Sequence, residues 1–203
     1  MLRISFTAGV AVFLLLAGIA TSAAAQSPPQ RVRGTIDHVS ADTITVQTAG
    51  GTDQTLKLAP DARIVSVRAL ALSDIKPGDY IGTAAGKQPD GRLVATAVTV
   101  FPAEMRGVGE GQRPWDEGPN SSMTNANVDE IVTGTSGRTL KLSYKGGTAE
   151  VEVPPDVPIV TPVPGDQSLL LPGKAVVAFM RQETDGTLMA AFVTVERDGV
   201  KPP

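Results

Sequence analysis

The sequence predicts an all-β protein made of two small β-barrels in tandem. Three observations lead to this prediction: one pattern occurs twice along the chain, short stretches alternate polar and apolar residues, and turn-forming residues separate these stretches. Three anchors recur with a single offset of 95 residues: Pro60-Asp61 and Pro155-Asp156, Pro77-Gly78 and Pro172-Gly173, Asp90-Gly91 and Asp185-Gly186. Because chance matches do not stay in register over such a distance, we expect two copies of one unit.

The first copy begins with three strand-like stretches. Apolar residues spaced along 32–39 mark an opening strand, and residues 43–47 alternate polar and apolar side chains. Half-buried strands have this period of two because successive side chains point to opposite faces. Residues 55–58 alternate again after a Gly-rich turn at 49–53, and this arrangement predicts a hairpin.

The rest of the first copy supplies a turn and a second hairpin. A short strand at 63–65 precedes the only helix-like stretch, residues 69–75, which is too short for more than a turn or two. Pro77-Gly78 forms a tight turn, since Pro presets φ and Gly tolerates positive φ. Strands at 80–83 and 93–101 then form the closing hairpin.

The second copy repeats this order over residues 128–199, with the proline-rich stretch 158–164 extended where the first copy has its helix-like stretch. Between the copies, residues 103–127 are rich in Gly and Pro and lack apolar periodicity, which predicts a linker. The predicted domains are therefore 26–102 and 128–199, followed by a loosely held tail at 200–203.

Five or six short strands in each copy favour a closed or nearly closed barrel, because closure removes exposed strand edges. An OB-like Greek-key barrel is the preferred topology for each copy. A small sandwich and an SH3-like barrel are the alternatives.

The first 25 residues have the layout of a secretory signal peptide. A basic start, Met1-Leu2-Arg3, is followed by an apolar run from Ala8 to Ala20, and Ala23 and Ala25 are the small residues before a cut at Gln26. A retained membrane anchor is the alternative, but the run is shorter than the ~18 to 20 residues of a spanning helix. We expect cleavage after Ala25 and a periplasmic or secreted protein that no longer contacts the membrane.

The composition argues against several classes of function. The chain has 18 basic and 21 acidic side chains, and loss of Arg3 with the signal peptide would change the net charge from −3 to −4. This mild acidity argues against nucleic acid or an anionic membrane surface as the partner. The absence of cysteine removes disulfide scaffolds, thiolate metal sites and thiol nucleophiles. The fold must therefore depend on its apolar cores.

Four motifs of the first copy form a set of strand and turn positions: Gly34-Thr35-Ile36-Asp37, Thr43-Ile44-Thr45-Val46, Asp74-Ile75-Lys76-Pro77-Gly78-Asp79 and Asp90-Gly91-Arg92-Leu93-Val94-Ala95. With these motifs the copy resembles a bacterial secreted family catalogued as domain of unknown function 5666. The resemblance covers residues 32–101 well and 128–195 more loosely, because Leu169-Leu170-Leu171 replaces Asp74-Ile75-Lys76. It implies short all-β modules, often in tandem in exported proteins, and it implies no catalytic residue.

No catalytic constellation is visible in the sequence. His38 is the only histidine, and it follows Asp37 at the end of the first strand. A histidine-dependent hydrolase would have to use it, yet the chain has no Gly-x-Ser-x-Gly elbow. We therefore expect a non-enzymatic protein without a cofactor and rank a hydrolase last.

A metal site is the sharper alternative, with Asp37 and His38 as weak candidates. Further acidic residues occur in both copies: Asp61, Asp79, Asp129, Glu130, Asp156 and Asp166. Neither a calcium-loop motif nor a His-x-x-x-His pair is present, and structural zinc sites need four N or S ligands. Since acidic residues beside Pro or Gly usually cap their own turns, the sequence favours turn capping and assigns no metal ligand.

The predicted linker carries a Gly-x-Gly-x-Gly pattern at residues 107–111. Such a pattern after a strand is typical of a dinucleotide loop, in which a helix must follow and hold the pyrophosphate at its N-terminus. Pro114 and the glycines after it prevent that helix. The sequence therefore argues against nucleotide binding.

The same segment holds four candidate binding residues: Arg106, Arg113, Trp115 and Asp116. Long connections without secondary structure are either functional or disordered, and a Trp–Arg pair is typical of contact hot spots. The alternative is that Trp115 fills the junction between the two barrels, because buried aromatic side chains dominate core energetics.

Two functions follow from these observations. The first is an exported, non-enzymatic binding or adaptor protein of the bacterial envelope, whose partner is another envelope protein or an oligosaccharide. The second is an extracytoplasmic metal-handling or transporter-accessory protein that uses Asp37, His38 and neighbouring acids.

Overall fold

A computed structural model describes residues 30–134 and 137–203, and the predicted signal peptide lies outside them. The predicted all-β fold class is confirmed. The strands are β1 (Arg31–Val39), β2 (Thr43–Thr48), β3 (Asp53–Ala69), β4 (Tyr80–Lys87), β5 (Leu93–Phe101), β6 (Gly111–Pro114), β7 (Ser121–Gly134), β8 (Gly137–Tyr144), β9 (Gly147–Val153), β10 (Ile159–Pro164), β11 (Ala175–Gln182) and β12 (Leu188–Val195). Single 3-10 turns occupy Leu72–Asp74, Ala103–Met105 and Gln167–Leu169. No helix in these two ranges is long and apolar enough to cross a membrane.

β3 is longer than the sequence predicts, because it joins the two predicted stretches 55–58 and 63–65 into one strand. Pro60 does not interrupt it, since the strand changes partners there. β2 pairs with β3 as far as Lys57, β12 pairs with it from Leu58 to Ser66 with a register shift before Arg63, and β10 pairs with its last residues, from Val65 to Ala69. A proline at such an irregularity removes no ladder hydrogen bond.

The strands close into two rings of five. In the first ring the order is β1, β2, β3, β12, β11 and back to β1, and in the second it is β7, β8, β9, β5, β4 and back to β7. The pairs β3–β12 and β9–β5 are parallel, while the other pairs in each ring are antiparallel. Closure of the barrel, as predicted, leaves few free strand edges.

The strand pairing crosses the predicted domain boundary. The hairpin β4–β5, predicted to complete the barrel of residues 26–102, instead pairs with β7 and β9, and the hairpin β11–β12 pairs with β1 and β3. Each ring therefore contains three strands from one part of the chain and a hairpin from the other. Two similar hairpins can complete either ring with the same kinds of contact, so local sequence patterns do not distinguish the two connections.

Positions 95 residues apart occupy equivalent places in the pairing. Ala84 faces Ala97 across β4–β5, and Phe179 faces Phe192 across β11–β12, with a bulge directly after each pair. Where β3 pairs with β10, Val67 faces Pro162, which is the equivalent residue 95 positions later. The two rings are thus joined through β3 and β10, with one hairpin on either side of the junction.

The predicted linker, residues 103–127, is only partly a linker. It contains β6 and the start of β7, and residues 121–127 form a full strand between β4 and β6. The sequence hides this strand because its residues do not alternate in polarity. Thr124 and Asn125 are buried although both are polar, since neighbouring strands cover them on two sides.

Each ring encloses its own apolar core. The first core is formed by Val32, Ile36, Ile44, Val46, Leu56, Leu58, Ile64, Leu170, Val176, Ala178, Met180, Ala190, Val193 and Val195. The second is formed by Ile75, Ile81, Ala85, Ala95, Val98, Ala126, Val128, Leu140, Leu142, Val151, Val153 and Ile159. Because each core takes side chains from both exchanged parts of the chain, neither core is complete without the other part.

Gly34 is needed where β1 and β2 approach each other closely. A Cβ at this position would lie 2.1 Å from the carbonyl oxygen of Gln47. We expect Gly34→Ala to lower the free energy of unfolding by about 1–3 kcal/mol, because backbone must move to relieve the overlap. Urea unfolding monitored by circular dichroism measures the change.

Gly86→Ala is the matched control, because a Cβ there meets nothing within 4 Å and its φ is not positive. Its free energy of unfolding should equal that of the wild type or rise slightly, since Ala restricts the unfolded chain more than Gly does. Equal losses in the two variants would contradict the close approach at Gly34.

Candidate functional site: a cavity at the junction of the two rings

A cavity of about 440 Å³ lies at the junction of the two rings. Its walls are the outward faces of the two exchanged hairpins, and Val67 of β3 and Pro162 of β10 lie between them. The hairpin residues in the lining are Gly82, Ala84, Ala97, Thr99 and Phe101 of β4–β5, and Val177, Phe179, Phe192 and Thr194 of β11–β12. These side chains face outward because their neighbours in sequence point into the two cores.

The two walls have equivalent positions but different side chains. Phe179 and Phe192 form an edge-to-face aromatic pair with ring centroids 5.9 Å apart. At the equivalent positions of β4–β5 stand Ala84 and Ala97, which have no side-chain atoms beyond Cβ. The β11–β12 wall therefore carries two aromatic rings at these positions, whereas the β4–β5 wall is shallow beside Ala84 and Ala97 and has its one aromatic side chain, Phe101, at the end of β5.

The segment between β5 and β7, residues 102–120, closes the cavity on the side of the β4–β5 wall. We call it the connecting segment. Met105 is buried, and the carbonyl oxygen of Val108 accepts hydrogen bonds from the Tyr80 hydroxyl at 3.2 Å and from Asn125 Nδ2 at 2.9 Å. Gly109 adopts a positive φ of 59° and lies beside Arg113 and Asn125. The glycines that resemble a nucleotide loop thus fold the segment back over β4 and β7.

Trp115 is half-buried in the cavity wall, and two arginines lie over its rings. The guanidinium carbon of Arg31 lies 3.7 Å from a Trp115 ring centroid, and that of Arg113 lies at 5.6 Å. The indole Nε1 donates to Glu117 Oε1 at 3.3 Å. Cations over an aromatic face are attracted by the ring quadrupole, so this stack fixes the indole against the cavity.

The polar side of the cavity carries an excess of positive charge. Arg31 has a side chain only 6 % exposed, and its Nε donates to Asp116 Oδ2 at 2.9 Å. Its pKa is lowered to about 10, chiefly by burial and then by repulsion from Arg33 and Arg113, while Glu117 acts in the opposite direction. Arg113 remains partly exposed, and partial burial of its guanidinium lowers its pKa.

Asn125 adds a buried amide to the same side of the cavity. It is 4 % exposed, and its Oδ1 has no hydrogen-bond partner among the described residues. Buried polar atoms without a partner are uncommon and costly. The amide oxygen is therefore a candidate contact for a ligand or a bound water molecule.

The chain's last residues also reach the cavity. Pro202 is buried and lines it together with Pro203. A bridge between Arg197 and Val200 turns the chain toward this position. The tail that the sequence predicts to be loosely held is therefore packed, because proline rings find apolar surface there.

Two of the four predicted binding residues, Arg113 and Trp115, line the cavity. Asp116 instead pairs with Arg31. Arg106 donates to the Gly78 carbonyl at 2.7 Å and to Asn127 Oδ1, which fastens the connecting segment to a turn and to β7. Arg106 is absent from the lining.

Sequence reasoning misses the other half of the site. Arg31, Glu117 and Asn125 also line the cavity. Arg31 and Glu117 belong to no sequence motif, and Asn125 lies in the stretch that the sequence predicts to be a linker. One signal was present: the repeat aligns Ala84 with Phe179 and Ala97 with Phe192, a change from small to large at outward positions. That contrast could have indicated space on one side of the junction.

The weak metal candidates lie elsewhere. Asp37 and His38 are exposed at the end of β1, where a bulge interrupts its pairing with β2. Among residues 30–134 and 137–203, no group of three His, Cys, Asp or Glu side chains is placed to hold a metal ion. Other acids have partners within the protein: Asp61 pairs with the distant Arg181, Glu130 pairs with Lys141, and Asp79 accepts from the Lys76 amide at 2.8 Å.

Comparison with known proteins gives no assignment: no family model, no curated protein and no solved structure matches this chain. The resemblance to domain of unknown function 5666 stays a prediction. The cavity and its lining are therefore the basis for any functional conclusion.

Proposed function

We propose that this protein is an exported, non-enzymatic binding protein whose ligand occupies the cavity at the junction of the two rings. The observation that carries the proposal is the cavity itself, whose volume of about 440 Å³ falls within the ~300–1,000 Å³ typical of small-molecule sites. Its apolar walls with a few polar groups on one side are also typical of such sites.

The chemistry of the walls supports an apolar small molecule over the partners considered from the sequence. An oligosaccharide needs many hydrogen-bonding groups, whereas the hairpin walls offer mainly aliphatic and aromatic side chains. A protein partner would need a broad exposed surface. Export rests on the predicted signal peptide, and we propose that each ring is an OB-like barrel completed by the hairpin of the other copy.

Trp115 provides a direct test, because it is the chain's only tryptophan and it lines the cavity. We expect the neutral probe decanol to change Trp115 fluorescence in a saturable way. Ala97→Phe places a ring on the shallow wall, as Phe192 does on the other, and should weaken decanol binding by about tenfold or more through lost volume.

Val132→Phe is the matched control, since Val132 is 41 % exposed on β7 and does not line the cavity. It should bind decanol as the wild type does. Circular dichroism must show that both variants fold. Absence of saturable decanol binding to the wild type, or equal binding by a folded Ala97→Phe variant, would refute the cavity as a ligand site.

A further inference from the structure

The charges around the cavity indicate the kind of ligand, and this inference rests on the proposed function. Two of the three arginines near Trp115 have carboxylate partners: Arg31 pairs with Asp116, and Arg33 lies 3.4 Å from Glu117. Arg113 has none within ion-pairing distance in the described ranges. Its Nη1 donates to the Gly109 carbonyl at 2.8 Å, and this is a neutral partner.

Arg113 and Asn125 converge on one point of the connecting segment. A Cβ placed on Gly109 would lie 3.1 Å from Asn125 Nδ2 and 3.5 Å from an Arg113 guanidinium nitrogen. The guanidinium has donors left over after its bond to Gly109, whereas Asn125 Nδ2 already donates to the Val108 carbonyl and only its acceptor oxygen has no partner among the described residues. These two side chains therefore define a polar end of the cavity.

The electrostatic balance at this end favours an anion. In the part of the chain that the structure describes, three arginines, Arg31, Arg33 and Arg113, share only two carboxylates here, Asp116 and Glu117. Burial first, and then the charges of Arg33 and Arg113, act to lower the pKa of Arg31, while Glu117 acts in the opposite direction. A partly buried guanidinium without a counter-charge is unfavourable, and a carboxylate can meet it with paired, charge-assisted hydrogen bonds. A cationic head group would add to the repulsion.

We propose that the ligand is an amphiphile with one anionic head group, a carboxylate of the kind carried by a medium-chain fatty acid, which pairs with the free guanidinium donors of Arg113. Its apolar chain lies along the shallow wall of Ala84 and Ala97, opposite Phe179 and Phe192. The polar and apolar parts of the cavity thus match the two parts of one molecule.

The test compares decanoate with decanol, which share a chain length and differ in charge. Both are titrated into the full protein below their aggregation concentrations, with Trp115 fluorescence and calorimetry as parallel readouts. We expect the wild type to bind decanoate about tenfold or more tightly than decanol, since a charge-assisted pair contributes only to the former. In Arg113→Gln the ratio of the decanoate affinity to the decanol affinity, both measured on that variant, should fall to about one.

Arg106→Gln is the matched control, because Arg106 also fastens the connecting segment to a backbone carbonyl but does not line the cavity. It should keep the preference for decanoate. Arg113→Lys should keep part of the preference for decanoate, because it keeps the positive charge. Comparison with Arg113→Gln therefore separates the effect of losing the charge from any effect on the fold.

Each outcome is decisive. Equal binding of decanoate and decanol by the wild type, or a preference that persists in Arg113→Gln, would overturn the head-group assignment and leave the proposed binding function intact. If neither probe binds the wild type, the proposed function fails and this inference fails with it. Loss of the preference in Arg106→Gln as well would assign the effect to the connecting segment as a whole and would also overturn the role of Arg113.

Discussion

Cysteines at positions 35 and 175 are expected to form a disulfide within a single chain. Thr35 of β1 faces Ala175 of β11, and the chain has no native cysteine that could compete. Opposed residues of antiparallel strands have Cα atoms about 4.5–5.5 Å apart, within the range that a disulfide spans. The Thr35→Cys/Ala175→Cys variant should therefore oxidise readily and run as a compact monomer on a non-reducing gel.

The crosslink should also stabilise the protein strongly. It closes a loop of about 140 residues, for which the chain-entropy model gives about 5 kcal/mol at 25 °C. The midpoint of urea unfolding should rise on oxidation and return on reduction. This is the largest stabilising effect that we expect from any variant described above.

The control uses the connection that a sequential tandem would make. If each copy completed its own barrel, position 35 would face position 80, which is 95 residues before 175. Thr35→Cys/Tyr80→Cys should not crosslink in the folded protein. Efficient crosslinking of this pair in place of 35–175 would show that the hairpins are not exchanged, and disulfide-linked dimers would show that the exchange occurs between chains.

Removal of residues 175–203 is expected to unfold the first ring, although these residues are the last in sequence. The deletion removes β11 and β12, and with them six of the fourteen side chains of the first core. The four larger ones, Val176, Met180, Val193 and Val195, stabilise by about 1.5–3 kcal/mol each, or about 6–12 in total. That sum is comparable with the ~5–15 kcal/mol stability of a whole domain.

Hydrogen exchange can locate the damage. Amides of β1–β3 should lose protection in the truncated chain, whereas those of β7–β9 should keep it, because β11 and β12 supply no side chain to the second core. Deletion of residues 198–203 alone is the control and should leave both rings protected. Loss of protection in β7–β9 with β1–β3 intact would support the sequential arrangement and contradict the exchanged one.

Much of the local structure could be predicted from the sequence, while its assembly could not. The alternation at residues 43–47 and the dipeptide Asp90-Gly91 predict the hairpins correctly, because period and turn chemistry are local properties. The partner of a hairpin is not local. The 95-residue offset that indicated two units also made their hairpins look equivalent, so the pattern could not say which ring each hairpin completes.

The candidate site, like the fold, could be predicted from the sequence only in part. Trp115 and Arg113 stood out as residue types that make contacts, and both line the cavity. Arg31 and Asn125 did not, because their importance comes from the approach of β1 and β7 to the connecting segment. Asn125 was missed for a further reason, since a buried polar strand has no apolar alternation to mark it.

The exchanged hairpins set the order in which the molecule can be completed during its synthesis. β1 is translated first, yet its neighbour β11 begins about 140 residues later, and β3 must wait for β12. The second ring has all its strands once β9 has been made, so the ring that starts last in sequence can close first. Long-range pairings of this kind fold slowly, and the N-terminal strands stay open until nearly the whole chain is available.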